Sequence, residues 1–391
     1  MKIAPLFAAA ALAATSAYAQ DSTNATAYAT GLLGALQQNN LTTLATLAQQ
    51  NAAVLLPLLS SEGNKTVFAP TNEAFSSLSD DVTGNQTLVA NLLAYHVYYG
   101  SFPEGESNGT TGHTILRSAL NDSSVVMLPG GQGQVGVFTM GNSSSNSTSN
   151  STSVTVLGPT SNVTSVATAT YENLIIHVIP QTLNIPMDLS ETVDAAGLDG
   201  LGGALTQYAP DAVTALEQTR GITVFAPVNS AFEQAASVIG TLNNTSIANV
   251  LLNHVINGSV VYSTQLADAV SAAGEQLTFM SNDTGAFVMT GNATAQIVRA
   301  DIPIMNGVVH LIGSVLANTE SDSEAAASAA SSASSVAATQ TSQATGAVGS
   351  NTGAAEPSST SGGGNGGGQL TVASSSALAG VLALVGVVLA A

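Results

Sequence analysis

Residues Thr66–Phe75 read TVFAPTNEAF, and residues Thr223–Phe232 read TVFAPVNSAF. In each, the β-branched and aromatic run Thr-Val-Phe-Ala has the composition of a strand. Pro70 and Pro227 stop it, because proline has no N–H to give to a ladder. Asn72 and Asn229 follow and are expected to cap the helices EAFSSL and SAFEQA. An Asn oxygen at that position accepts free amide hydrogens of the first turn, a gain of about 1 kcal/mol. Thr71 could cap as well, but its counterpart is Val228, which favours the Asn. Phe75 and Phe232 are expected to point inward from these helices. The unit of strand, proline stop, cap and inward ring is written twice.

Other matches follow the phrase in the same order. NLLAYHVYYGSF (Asn91–Phe102) answers NVLLNHVINGSV (Asn249–Val260), and NLIIHVIPQTL (Asn173–Leu183) answers NGVVHLIGSVL (Asn306–Leu316). Ordered matches of this kind are the signature of an internal duplication. The interval from His96 to His177 exceeds that from His254 to His310, and the surplus holds GNSSSNSTSNSTS (Gly141–Ser153). Such a polar tract cannot bury a core, so it reads as an inserted, glycosylated loop. Leucines over residues 40–59 recur near helical spacing and predict two short helices. LIIHVI and GVVHLI are continuous apolar runs, as in strands buried on both faces.

These residues resemble the fasciclin-domain family. The likeness rests on Phe68, Pro70, Asn72 and Phe75 with their counterparts Phe225, Pro227, Asn229 and Phe232. The His-Val element after a Leu pair and the terminal Asn-Gly-Val-Val-His-Leu-Ile add to it. The resemblance implies an α+β fold of two tandem domains, each a β-wedge flanked by helices, and a surface or matrix adhesion protein without enzymatic chemistry. It also implies candidate adhesion contacts. Tyr95-His96 is similar to the family's tyrosine–histidine element, and Asp301-Ile302 to its aspartate–isoleucine element. The second copy has Asn253-His254 and the first has Thr168-Ala169, so each copy keeps one element. Both elements also read as core.

Five Lys and Arg stand against twenty-four Asp and Glu in 391 residues, for a formal charge of −19. That repels polyphosphate and leaves no basic cluster, which excludes nucleic acid as a partner. The chain has no Cys, so it has neither disulfides nor thiolate sites. Met1–Ala19 carries Lys2, an apolar run and an Ala-Tyr-Ala cleavage pattern, and reads as a signal peptide. Ala377–Ala391 is apolar throughout but shorter than the roughly 20 residues of a spanning helix. With small residues at Asn365-Gly366-Gly367 and a polar spacer, it reads as a glycosylphosphatidylinositol signal with Asn365 as the attachment residue.

The expected organisation is therefore a signal peptide over 1–19, domains over 20–184 and 185–317, a Ser/Ala/Thr/Gly stalk over 318–364 and an anchor signal over 365–391. The stalk composition also allows an Ala-rich helix. N-x-S/T sequons occur at Asn24, Asn40, Asn64, Asn85, Asn108, Asn121, Asn142, Asn146, Asn150, Asn162, Asn243, Asn244, Asn257, Asn282 and Asn292. On a secreted chain they predict a heavily glycosylated surface.

Candidate chemistry is sparse. His96 with His177, and His254 with His310, could form a metal pair in each copy. Zinc, however, usually takes three or four ligands, so buried imidazoles bonded to backbone are the better reading. GQGQVG (Gly131–Gly136) fits G-x-G-x-x-G, but the strand-like VFTM follows it where a dinucleotide site needs a helix. Asp80, Asp81 and Asp301 are the acids to test for a glycosidase pair, although Asp80-Asp81 reads as a polar turn. No cofactor or metal is expected. The expected function is adhesion to surface or matrix proteins. The alternative is a wall-structural or polysaccharide-binding glycoprotein.

Overall fold

The computed structural model describes residues 26–102, 113–141 and 153–339. The chain divides into two compact units. Of the described residues, the first takes 26–102, 116–122, 133–141 and 153–185, and the second takes 113–115, 123–132 and 186–339. The signal peptide, the insert, the anchor signal and Asn24, Asn108, Asn142, Asn146, Asn150 and Asn365 lie outside the described residues.

The first copy begins with helices α1 (residues 26–38), α2 (Thr42–Gln50) and α3 (Ala52–Ser60). Leu32, Leu36, Leu44, Leu55 and Leu59 on these helices line one core. There follow β1 (Lys65–Pro70), α4 (Asn72–Ser76), α5 (Asp80–Thr83), α6 (Gln86–Tyr95), β2 (Val97–Tyr99), β3 (Thr114–Arg117), β4 (Val135–Gly141), β5 (Ser153–Leu157), β6 (Asn162–Thr164), β7 (Ala167–Tyr171) and β8 (Leu174–Ile179). Strand β1 runs antiparallel to β2 and parallel to β8, in a sheet of order β2-β1-β8-β7. Because both central strands are covered, Phe68 is fully buried and Phe75 is 7% exposed, so the repeated phrase sits in the core. A second sheet has the order β3-β4-β5-β6. Gly141 pairs with Ser153 across the antiparallel β4 and β5.

The second copy repeats the plan with α7 (Leu189–Ala195), α8 (Asp199–Tyr208), α9 (Pro210–Gln218), β9 (Ile222–Pro227), α10 (Asn229–Ile239), α11 (Asn244–Leu252) and β10 (Val255–Asn257). It continues through β11 (Ala269–Val270), β12 (Gln276–Asn282), β13 (Gly285–Thr290), β14 (Ala293–Ile304), β15 (Gly307–Ile312) and α12 (Ser323–Thr339). Here β9 lies between β10 and the parallel β15, within one seven-stranded sheet β10-β9-β15-β14-β13-β12-β11. That sheet stays continuous because β14 is twelve residues long and bends at register shifts between Ile297 and Ile302. In the first copy the chain breaks between β6 and β7, and two sheets result.

Three expectations are corrected. Asp80–Thr83 is a turn of helix, where the sequence suggested a polar turn. Residues 323–339 of the expected stalk form helix α12, started by Asp322 Oδ1 accepting the Glu324 and Ala325 N–H groups. Alanine favours the helix, and the bare Cα of Gly258 lets it approach β10, since a Cβ there would lie 2.9 Å from Ala333.

The third correction concerns the asparagines, which do not cap the helices they begin. Thr71 caps α4, its Oγ1 accepting from Ala74 N at 3.3 Å, and α10 has no side-chain cap. Asn72 Oδ1 instead accepts the Thr43 N–H at 2.9 Å, at the start of α2, and its Nδ2 donates to Asn40 O at 2.9 Å. Asn229 repeats this on α8, with Gly200 N–H at 3.1 Å and Gly197 O at 2.9 Å. The N-cap positions of α2 and α8 are Leu41 and Leu198, whose side chains offer no acceptor. Asn40 and Gly197 both adopt positive φ (59° and 66°), the turn that precedes each capped helix.

A cap supplied from another helix has a testable signature. Asp is as good a cap as Asn, but at this position it loses the donor and sets a carboxylate against the Gly197 carbonyl. Asn229→Asp is expected to destabilise the fold by about 1–3 kcal/mol. The check is the urea midpoint, and an unchanged midpoint contradicts the bridge.

Candidate functional site

The matched polar residues of the two copies form one constellation built twice, and their partners are backbone groups. His96 and His254 end α6 and α11, where each Nδ1 donates to the carbonyl four residues back, Leu92 at 2.7 Å and Val250 at 2.6 Å. Each Nε2 accepts a distant N–H, that of Leu183 or Leu316, at 2.9 Å. The ring thus ties the end of a helix to the segment after the last strand of its domain.

His177 and His310 use the other tautomer. Nε2 donates to Phe102 O at 3.4 Å in one copy and to Val261 O at 2.8 Å in the other. Nδ1 faces the Thr168 hydroxyl at 3.0 Å in the first and accepts the Asp301 N–H at 3.1 Å in the second. The rings stack on Phe68 and Phe225, with centroids 5.3 and 5.5 Å apart. Thr66 and Thr223 hold the same two residues from the other side, their Oγ1 atoms accepting the N–H of Phe102 at 2.9 Å and of Val261 at 2.8 Å.

Asn173 and Asn306 complete the set by closing helix C-termini. Asn173 Nδ2 donates to Leu59 O and Gly63 O after α3, and Asn306 Nδ2 to Leu216 O and Thr219 O after α9. Thr66, Thr223, Asn173 and Asn306 are not among the residues expected from the sequence to matter. Their signal was nonetheless present, because all four stand at identical places in the matched stretches.

This geometry occupies both nitrogens of all four matched histidines with partners other than a metal. Among the described residues no cluster of three or more His, Asp or Glu could hold an ion. Burial pushes the His96 and His254 rings down to about 4, and the carbonyls of Leu92 and Val250 only partly oppose it. Burial also lowers His310, against the upward pull of Asp301 and the Val261 carbonyl.

The adhesion elements suggested by the resemblance lie inside. Tyr95 and His96 are 4% and 3% exposed, and the Tyr95 hydroxyl donates to Val135 O at 3.1 Å. Asp301 and Ile302 are 1% and 2% exposed on β14. Asp301 has φ of 62°, accepts the Ser263 N–H at 2.7 Å, and pairs with the Ser263 hydroxyl and with His113. Burial raises its carboxyl, but His113, His310 and Ser263 outweigh that and hold it below the ordinary carboxylate range. Of the described sequons, Asn40, Asn64, Asn85, Asn121, Asn162, Asn243, Asn244, Asn282 and Asn292 are exposed and Asn257 is half-buried. Asn85 and Asn243 also cap α6 and α11 through Oδ1. The glycine-rich Gly131–Gly136 leads into strand β4, with no helix N-terminus there to meet a pyrophosphate.

Residues 39–186 and 203–318 each match the Fasciclin domain. The chain belongs to the fasciclin family. A fasciclin-like arabinogalactan protein of Arthroderma benhamiae is 26% identical over 276 residues, which cover 68% of this chain and 61% of that protein. One from Phaeosphaeria nodorum is 25% identical over 287 residues, covering 71% of this chain and 84% of the relative. Among solved structures, the FAS1 domain pair of the insect cell adhesion molecule Fasciclin I matches at 14% identity with a TM-score of 0.35, over 72% of this chain and 97% of that one.

The histidine staples make stability depend on pH in a stated direction. A ring whose pKa falls from 6.5 to about 4 on folding is neutral in the native state. Its full contribution is present above pH 6.5 and is lost as pH falls toward 4, where the unfolded chain binds the extra proton. Each ring accounts for about 3 kcal/mol across that window. Urea midpoints measured from pH 7 to pH 4 should fall steeply, and the His96→Gln, His254→Gln double variant should flatten the slope.

Proposed function

We propose that the chain is a secreted cell-surface or cell-wall glycoprotein whose two fasciclin domains mediate attachment between cells or between cell and matrix. The reading includes the stalk and a glycosylphosphatidylinositol anchor, which would hold the domains outside the membrane. The observation that carries it is the pair of fasciclin domains with exposed sequons on both. The relatives' name, fasciclin-like arabinogalactan protein, supports the coarser statement of a surface or wall glycoprotein. Two weak sites on one chain raise avidity, since the second engagement is intramolecular. With Tyr95, His96, Asp301 and Ile302 enclosed, attachment in this reading runs through the outer faces of the domains and their glycans. No catalytic role is proposed.

The same enclosure favours a second reading, a wall-structural or polysaccharide-binding glycoprotein with no protein receptor. Enzymatic removal of the N-glycans separates the two. Deglycosylated protein that still binds intact cells or matrix protein supports adhesion, whereas binding confined to wall polymers, or lost altogether, supports the wall role. The anchor has its own test. Phosphatidylinositol-specific phospholipase applied to intact cells is expected to release the protein, and retention overturns the anchored form.

A further inference from the structure

Between α8, α10 and α11 the second unit holds a cleft of about 430 Å³, within the size range of small-ligand sites. Leu201, Ala204, Phe232, Ile239, Val250 and Leu251 supply its walls. Among the described residues, no Asp, Glu, Lys or Arg lines it. His254 lines it too, but both its ring nitrogens are engaged with backbone. The remaining polar side chains are the exposed Gln207 and the half-buried Tyr208.

The first copy has the matching cleft among α2, α4 and α6, and it is smaller, about 260 Å³. Helix α10 runs on to Ile239 where α4 stops at Ser76, which adds Ala236 and Ile239 to the larger cleft, and two matched positions also differ. Where the first copy has Thr43 and Leu47, the second has Gly200 and Ala204. Leu47 packs against the core of its own domain, and Ala204 leaves that volume open. At Gly200 a Cβ would stand 2.8 Å from the Phe232 ring, so glycine makes room for that ring in the cleft wall.

We propose that this cleft binds an uncharged lipid, a sterol or long-chain alcohol, with its aliphatic body between the helices and its hydroxyl at Gln207 and Tyr208. Charge selects this occupant. On a chain of net charge −19, a cleft with no cation has nothing to pair with a fatty-acid carboxylate, and the negative field of the protein disfavours an anion at its mouth. The cleft's apolar walls offer water few hydrogen-bond partners, so a hydrocarbon that covers them removes apolar surface from solvent. The inference goes beyond attachment and does not depend on it.

The test uses the full secreted chain and dehydroergosterol as a fluorescent sterol. Saturable binding at one site per chain is expected, displaced by hexadecanol and not by palmitate. Ala204→Leu, which installs the residue the first copy uses, should weaken binding by about tenfold or more while the thermal unfolding midpoint is kept or raised. A diazirine sterol should label peptides from α8, α10 or α11 of the unaltered chain, a readout that does not depend on how the variant folds. Absence of saturable binding, equal displacement by palmitate, or labelling elsewhere overturns the proposal. So does a concentration-dependent dimer that Ala204→Leu abolishes, which would assign the cleft to a second copy. Binding gained only on deletion of residues 377–391 would assign it to that apolar run and overturn the proposal likewise.

Discussion

Each domain depends on side chains that satisfy backbone groups belonging to a different element. Unpaired backbone N–H and C=O groups are costly once buried, and this chain has no disulfide and few charges with which to fasten loops by other means. It uses neutral amides, hydroxyls and imidazoles. Asn72 and Asn229 cover the N-termini of α2 and α8, while Asn173 and Asn306 cover the C-termini of α3 and α9. His96 and His254 close the end of each domain, and Thr66 and Thr223 pin the segment after β2 and β10. Each contact joins residues far apart in sequence, so the set forms only when the domain is assembled. It then holds the layers in one arrangement.

This use of polar residues bears on function. Side chains with the richest chemistry, the four matched histidines and Asp301, spend their hydrogen bonds inward. What remains for partners is the exposed surface with its sequon asparagines. That division suits a domain whose interior must be rigid and whose exterior is free to vary.

The copies diverge where the shared staples do not constrain them. At the position of Thr168 the second copy has Asp301, and the histidine that faces a hydroxyl in the first accepts a backbone N–H in the second. A long bent β14 keeps the second sheet whole, whereas the matching chain in the first copy breaks into β6 and β7. One cleft is larger than the other, with Ala204 at the place of Leu47 and a longer helix α10 along its wall.

By itself the sequence determined the duplication, the strand–proline–helix unit, the paired helices over 40–59 and the buried character of the two histidine strands. All of these are local patterns of polarity and propensity, visible wherever a stretch is read. Only the tertiary structure decided what the polar residues inside those patterns bind. Asn72 looks like the cap of the helix it begins, because sequence shows only near neighbours, and the acceptor it supplies is used some thirty residues back at Thr43. The composition of stretch 323–339 allows either a stalk or an Ala-rich helix, and the structure makes it a helix whose small residues approach Gly258, a contact that composition alone does not reveal. Tyr95 and Asp301 likewise read either as contacts for a partner or as core, and packing decides for the interior, since burial belongs to the assembled domain and not to any segment of it.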